Sequence, residues 1–140
     1  MTSTTADKGL QLGRKVELPA SPDKAVLDFV NNPALYPYIV QLHCPEFTSL
    51  CPVTGAPDFA SIEIEYVPNN FLVESKSLKL FLGSFRNHGA FHEAVINEIA
   101  DRLFNEGEFM YISVVGNFAS RGGIAIIPKV VRGQMPSGIS

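Results

Sequence analysis

The sequence predicts an α+β fold: an antiparallel sheet with two helices grouped on one face, in the order strand, strand, helix, helix, strand, strand. Three observations carry this. Residues 61–67 alternate apolar and acidic side chains, the period of a half-buried strand. Two consecutive segments, 76–86 and 91–104, switch to helical spacing. Strand-forming residues then resume from 108 to the C-terminal region. Helices placed together between paired hairpins belong to an antiparallel α+β sheet.

The elements follow in chain order. Residues 1–8 are small and polar, and the chain reads as one domain over 1–140 with a flexible or loosely packed segment over 1–20. Pro19, Pro22, Pro33 and Pro37 allow a short helical turn over 24–30 but no long element. Residues 38–43 (YIVQLH) are β-branched and aromatic and predict the first strand. Pro45, Pro52, Gly55 and Pro57 predict a loop over 44–59. In the second strand Ile62, Ile64 and Tyr66 face one side, with Glu63 and Glu65 on the other, and Pro68-Asn69-Asn70 closes it in a turn. Leu78, Phe81, Leu82 and Phe85 form the apolar stripe of the first helix, opposite Lys76, Lys79 and Arg86. Phe91, Val95, Ile96, Ile99 and Leu103 form that of the second, with Glu93 in its first turn. The last two strands are expected over 108–118 and 123–131. A small sheet with two exposed edges favours homo-oligomerisation, since edge pairing into a ring closes it.

Composition narrows the function classes. A net charge of −3 argues against direct binding of nucleic acid, which calls for an excess of Lys and Arg. No apolar run is long enough to span a bilayer and no signal pattern opens the chain, so no membrane partner is expected. Two cysteines without a secretory signal point to free thiols in the cytoplasm.

Three groups of residues are able to carry chemistry. Cys51 lies on a Pro/Gly-rich loop seven residues before Asp58, a spacing open to an activated nucleophile with an acid partner. The commoner case is a packed cysteine and a turn-forming Asp, and residue types alone favour it. His43, Cys44 and Cys51 lack the tight spacing of a zinc site, so no metal is expected. His92 and Glu93 open the second helix, where an acidic residue complements the helix dipole; the same pair fits recognition of a purine-like N–H edge. The basic stripe Lys76, Lys79 and Arg86 is ordinarily a solvated helix face, and equally suits the phosphates of a dinucleotide. No Gly-x-Gly-x-x-Gly precedes a helix, so a nicotinamide cofactor is not held by a Rossmann domain.

Longer strings carry a resemblance. Glu74-Ser75-Lys76-Ser77-Leu78-Lys79-Leu80-Phe81 matches at every position the motif of the NADPH-dependent 7-cyano-7-deazaguanine (preQ0) reductases. The similarity extends to Cys44-Pro45-Glu46-Phe47-Thr48-Ser49-Leu50-Cys51-Pro52, to the run from Phe85 through Glu93, and to Ser120-Arg121-Gly122-Gly123-Ile124. About two thirds of the chain takes part, and the length resembles the short single-domain form of that family.

The resemblance implies a tunnelling (T-) fold whose subunits join edge to edge into a barrel, with active sites between subunits. It implies Cys51 as nucleophile and Asp58 as proton donor, with His92 beside the reacting group. Substrate binding falls to His92, Glu93 and the Val73-Glu74-Ser75 strand end; the basic stripe Lys76, Lys79 and Arg86 is expected, from its residue types, to meet the phosphates of the cofactor. The implied activity is an oxidoreductase reaction of queuosine biosynthesis, a tRNA-processing pathway. Cys51 adds to the nitrile carbon of preQ0 to give a thioimidate, and two molecules of NADPH per turnover reduce it to the aminomethyl product, preQ1. The alternative is an archaeal branch similar at the cysteine loop, an amidinotransferase acting on preQ0 in tRNA; the intact motif and the acidic charge count against it. A zinc-dependent pterin or GTP hydrolase lacks its ligand pattern here, and a non-catalytic purine-binding module has no use for the Cys51 and Asp58 pair.

Overall fold

The computed structural model describes residues 17–139. Its elements are β1 (Phe29–Asn31), β2 (Val40–Leu50), β3 (Pro57–Val67), β4 (Phe71–Val73), α1 (Ser75–Gly83), α2 (His92–Gly107), β5 (Tyr111–Phe118) and β6 (Lys129–Gly133). The main sheet has the order β2-β3-β5-β6, antiparallel throughout. A two-stranded antiparallel sheet, β1-β4, accompanies it. Both helices contribute to one hydrophobic core against the main sheet.

The alternation read in residues 61–67 orients β3: Ile62, Ile64 and Tyr66 are buried and Glu63 is exposed. Across the sheet, Ile112, Val114 and Phe118 of β5 enter the same core. Leu78 and Phe81 of α1 close it with Phe85 from the turn after that helix, and α2 adds Val95, Ile96, Ile99 and Leu103. Full burial of such a side chain contributes roughly 1.5–3 kcal/mol. Arg102 of α2 then ties down the N-terminal segment, donating to the Pro22 and Ala25 carbonyls while its guanidinium covers the Phe81 ring.

Several expectations give way. The 44–59 loop shrinks to 51–56, because β2 runs on to Leu50 through a bulge. Cys44 pairs with Ile62 but Phe47 pairs with Ala60, so β2 spends one extra residue there, beside Pro45, which lacks a ladder N–H. That residue resets the pleat: Phe47 and Ser49 turn into the core side. The expected turn over 24–30 is instead a 3-10 turn, Pro22–Lys24, followed by β1. The first helix ends at Gly83 rather than Arg86, since Phe85 and Arg86 bond three residues back. Phe91 leaves the apolar stripe, capping α2 at 61% exposure. The expected strand over 123–131 is only β6. Gly122 and Gly123, at φ +61° and +82°, form a tight turn between Arg121 and Ile124, and the chain rejoins the sheet after Pro128. The loosely packed segment expected over 1–20 lies, for 1–16, outside the described residues; Leu18 packs against Gly83.

Candidate active site

Cys51 is the first residue after β2. Its amide donates to the Ala56 carbonyl at 2.8 Å and its carbonyl accepts from Gly55 N at 2.9 Å, folding 51–56 into a compact turn. Leu50 bonds to the segment before α2 from both of its backbone groups: its N–H donates to the His88 carbonyl and its carbonyl accepts from Ala90 N. This bridge brings the N-terminus of α2 beside the cysteine loop. Cys51, Asp58, Phe91, His92, Glu93, Arg121 and Ile126 consequently line one cavity of about 180 Å³.

Asp58, in the second position of β3, is 4% exposed and has both oxygens engaged. Oδ1 lies 2.6 Å from Arg121 Nη1, and Oδ2 lies 3.1 Å from His92 Nε2. The His92 ring lies flat on Phe118, with centroids 3.8 Å apart and planes within 5°. The Thr54 hydroxyl, then the Thr54 and Val53 amides, pull the Cys51 thiol below its ordinary value; partial burial and the nearby Asp58 push weakly the other way. A thiol biased toward its thiolate, in one cavity with a carboxylate and an imidazole, suits covalent catalysis.

The sequence-predicted residues divide. Cys51, Asp58, His92 and Glu93 come together. Val73, Glu74 and Ser75 do not join them within one chain: the Glu74 carboxylate accepts from the Lys76 and Ser77 amides at 2.7 and 2.8 Å, capping α1. Lys79 and Arg86 border a separate groove of about 500 Å³ with Cys44, Phe47 and Leu82, while Lys76 stands outside it. Burial pushes the Cys44 thiol up, the opposite of Cys51. Arg121 was not foreseen as a site residue. Its signal was its place in the Ser120-Arg121-Gly122-Gly123-Ile124 string, but nothing local tied it to a residue 63 positions earlier. Among the described residues no group of three or more His, Cys, Asp or Glu side chains is placed to hold a metal ion. Nor is any described helix long and apolar enough to cross a membrane.

Comparison with known proteins gives a consistent result. The family described as QueF-like protein matches residues 57–137, more than half of the chain. The chain belongs to the QueF-like family. QueF-like relatives described as NADPH-dependent 7-cyano-7-deazaguanine reductase match nearly end to end. The protein of Maricaulis maris is 52% identical over 99% of this chain and 91% of its own length. That of Agrobacterium fabrum is 52% identical over 98% and 90%. That of a Synechococcus species is 52% identical over 92% and 75%. Among solved structures, the archaeosine synthase QueF-Like in its apo form superposes with a TM-score of 0.62 at 16% identity, covering 74% of this chain and 99% of that one. At that identity the likeness concerns the fold alone, and it bears out the expected antiparallel sheet with two helices. Within the QueF-like match lie Asp58, His92, Glu93, Arg121 and the whole 74–81 motif; Cys51 precedes it and falls in the region the relatives cover.

Proposed function

We propose that this chain is an NADPH-dependent 7-cyano-7-deazaguanine reductase, converting the nitrile preQ0 to the primary amine preQ1. The observation that carries the reading is the cavity where a low-pKa Cys51 faces Asp58, with His92 and Glu93 on the adjoining helix end. Cys51 Sγ attacks the nitrile carbon as its thiol proton passes to the Asp58 carboxylate, and Asp58 hands that proton to the nitrile nitrogen, giving a thioimidate on Sγ. His92 holds one Asp58 oxygen and Arg121 the other, which fixes the carboxyl in the cavity it shares with Cys51. Glu93, at the mouth of the cavity, accepts from the N–H edge of the deazaguanine.

The groove bordered by Lys79 and Arg86 is roomy enough for part of a dinucleotide, and two cations on its wall suit phosphate. Lys76, on the same helix, extends the cationic face. Lys79 and Arg86 would hold the phosphates of NADPH there, and the hydride that reduces the thioimidate carbon would come from that cofactor.

A neighbouring copy completes the site. A cavity of about 180 Å³ falls short of the roughly 300–1,000 Å³ typical of ligand sites, and Phe91 and Ile126 on its rim are exposed. The outer strands β2 and β6 run antiparallel to one another, so β6 of one copy continues into β2 of the next without breaking the antiparallel pattern. A ring built this way removes both edges. Val73, Glu74 and Ser75 reach substrate from such a neighbour. Consumption of two NADPH per preQ0, followed by absorbance with mass identification of preQ1, tests the activity; no NADPH oxidation in the presence of nitrile rules it out.

A further inference from the structure

Two buried side-chain polar atoms lack a hydrogen-bond partner among the described residues: Ser49 Oγ and His92 Nδ1. They belong to one neighbourhood. Ser49 pairs with Asp58 across β2 and β3, and opposed residues of an antiparallel pair point to the same face with Cβ atoms about 4.5–5.5 Å apart. The Asp58 carboxylate meets the other nitrogen of the same imidazole. Phe118, beneath that imidazole, pairs with Ala60 two residues along β3 from Asp58 and packs edge-on against Phe47. Ser49, Asp58 and His92 therefore meet on the buried face below the start of α2. The β2 bulge is what turns Ser49 inward. Ser49 is 0% exposed, where an alanine would fill the strand without burying a hydroxyl. Buried orphans of this kind call for an explanation.

We propose that Ser49 is a positioning residue for His92. Its hydroxyl donates to Nδ1, directly or through one bridging water, and holds the imidazole as the Nε2–H tautomer aimed at Asp58. A neutral imidazole carries one N–H. With Nδ1 occupied as an acceptor, the proton sits on Nε2 and donates to Asp58 Oδ2. Without Ser49 the ring is able to take the other tautomer, setting a lone pair against the carboxylate. The remaining groups around His92 are Cys51 from the loop after β2, Glu93 from α2 and Arg121 from the turn after β5; among the described residues none bonds Nδ1. The catalytic consequence rests on the proposed reductase activity, but the tautomer does not.

The test compares wild type with Ser49→Ala and with Ser49→Thr, which keeps the hydroxyl. The tautomer of His92 is read from its imidazole ¹⁵N resonances in protein labelled at histidine, without nitrile or NADPH. The single-turnover rate of thioimidate formation is measured beside it. Wild type and Ser49→Thr are expected to show the Nε2–H signature. Ser49→Ala is expected to show a mixture of tautomers and to form the adduct about tenfold more slowly or worse, with an undiminished thermal midpoint. A His92 signature in Ser49→Ala identical to wild type overturns the proposal, whatever the rate. A failure of the reductase reading looks different: wild type itself then forms no adduct, while the resonances still report on Ser49.

Discussion

Arg121 reaches Asp58 at 2.6 Å from the far side of the sequence, and the carboxylate it holds is nearly buried. The guanidinium comes from a turn whose two glycines have positive φ, so its aim is set by backbone that few other residues adopt. Hydrogen bonds to charged groups are worth about 1.5–3 kcal/mol. Arg121 is 44% exposed, which places it near the lower end. Arg121→Ala is therefore expected to lower kcat/KM about tenfold, while Asp58→Asn, which removes the proposed proton donor but keeps the shape, is expected to lower it by about 10²–10⁴. Steady-state kinetics decide. Full activity in Arg121→Ala would reduce the pair to a surface contact.

The two cysteines are expected to behave oppositely. Hydrogen bonds from Thr54 and its neighbouring amides favour the Cys51 thiolate, and burial disfavours that of Cys44. As pH rises, the alkylation rate of Cys51 should climb through a midpoint below that of an ordinary thiol, and that of Cys44 through one above it. Thr54→Val should move the Cys51 midpoint upward. Intact protein should gain one preQ0 mass per chain without NADPH. Cys51→Ala abolishes that gain and Cys44→Ala leaves it. An adduct on Cys51→Ala would place the nucleophile elsewhere.

Legibility followed the range of the interactions involved. The core faces of β3, α1 and α2 depend on period alone, and their apolar residues are buried as read, except that Phe91 is exposed and Leu82 half-buried. The path of β2 was hidden because Pro45 and Pro52 signal a loop, while a bulge lets the strand absorb the first and end before the second. The pairing of β1 with β4 joins two three-residue runs with no period to read. At the candidate site, strings of residue types singled out Cys51, Asp58, His92 and Glu93, which line one cavity. Their convergence needed the hydrogen bonds of Leu50 to His88 and Ala90. Arg121 and Ser49 matter only through partners that are strand or turn neighbours in space.

Glu74 has a structural duty that separates from any contact with substrate. It caps α1 with two amide hydrogen bonds, at 5% exposure. Glu74→Ala is expected to cost about 1–2 kcal/mol, visible as a lowered thermal midpoint. Glu74→Asp, a good capping residue, should keep most of that stability while withdrawing the carboxylate by one methylene. A stable Glu74→Asp with weakened preQ0 binding supports the reach from a neighbouring copy. Unchanged binding confines Glu74 to the cap.

The cationic groove makes a selective demand. Lys79→Ala and Arg86→Ala should raise the KM for NADPH several-fold, with a shallower dependence on salt than wild type, and leave adduct formation with preQ0 nearly intact. Lys76→Ala should act more weakly, since Lys76 does not border the groove. Equal damage to NADPH binding and adduct formation would assign the stripe to the fold or the substrate pocket.

Glu93 offers the sharpest test of the substrate reading. It sits in the first turn of α2, exposed, on the wall of the Cys51 cavity, and its backbone carbonyl accepts from Asn97 Nδ2. A helix-dipole role alone predicts that Glu93→Gln costs less than about 1 kcal/mol of stability and leaves ligand affinity unchanged. An acceptor role predicts otherwise, because the substitution keeps the side-chain shape but replaces one acceptor oxygen with an NH2 donor. Against the N–H edge of a deazaguanine, donor then faces donor in a site closed by the ligand. Loss of such a charged partner costs on the order of 2–4 kcal/mol, or roughly 30- to 1000-fold in affinity. Calorimetric titration of preQ0 into Cys51→Ala and into Cys51→Ala/Glu93→Gln separates binding from covalent capture. The two expectations do not overlap, and equal affinities in the two proteins would remove Glu93 from the site.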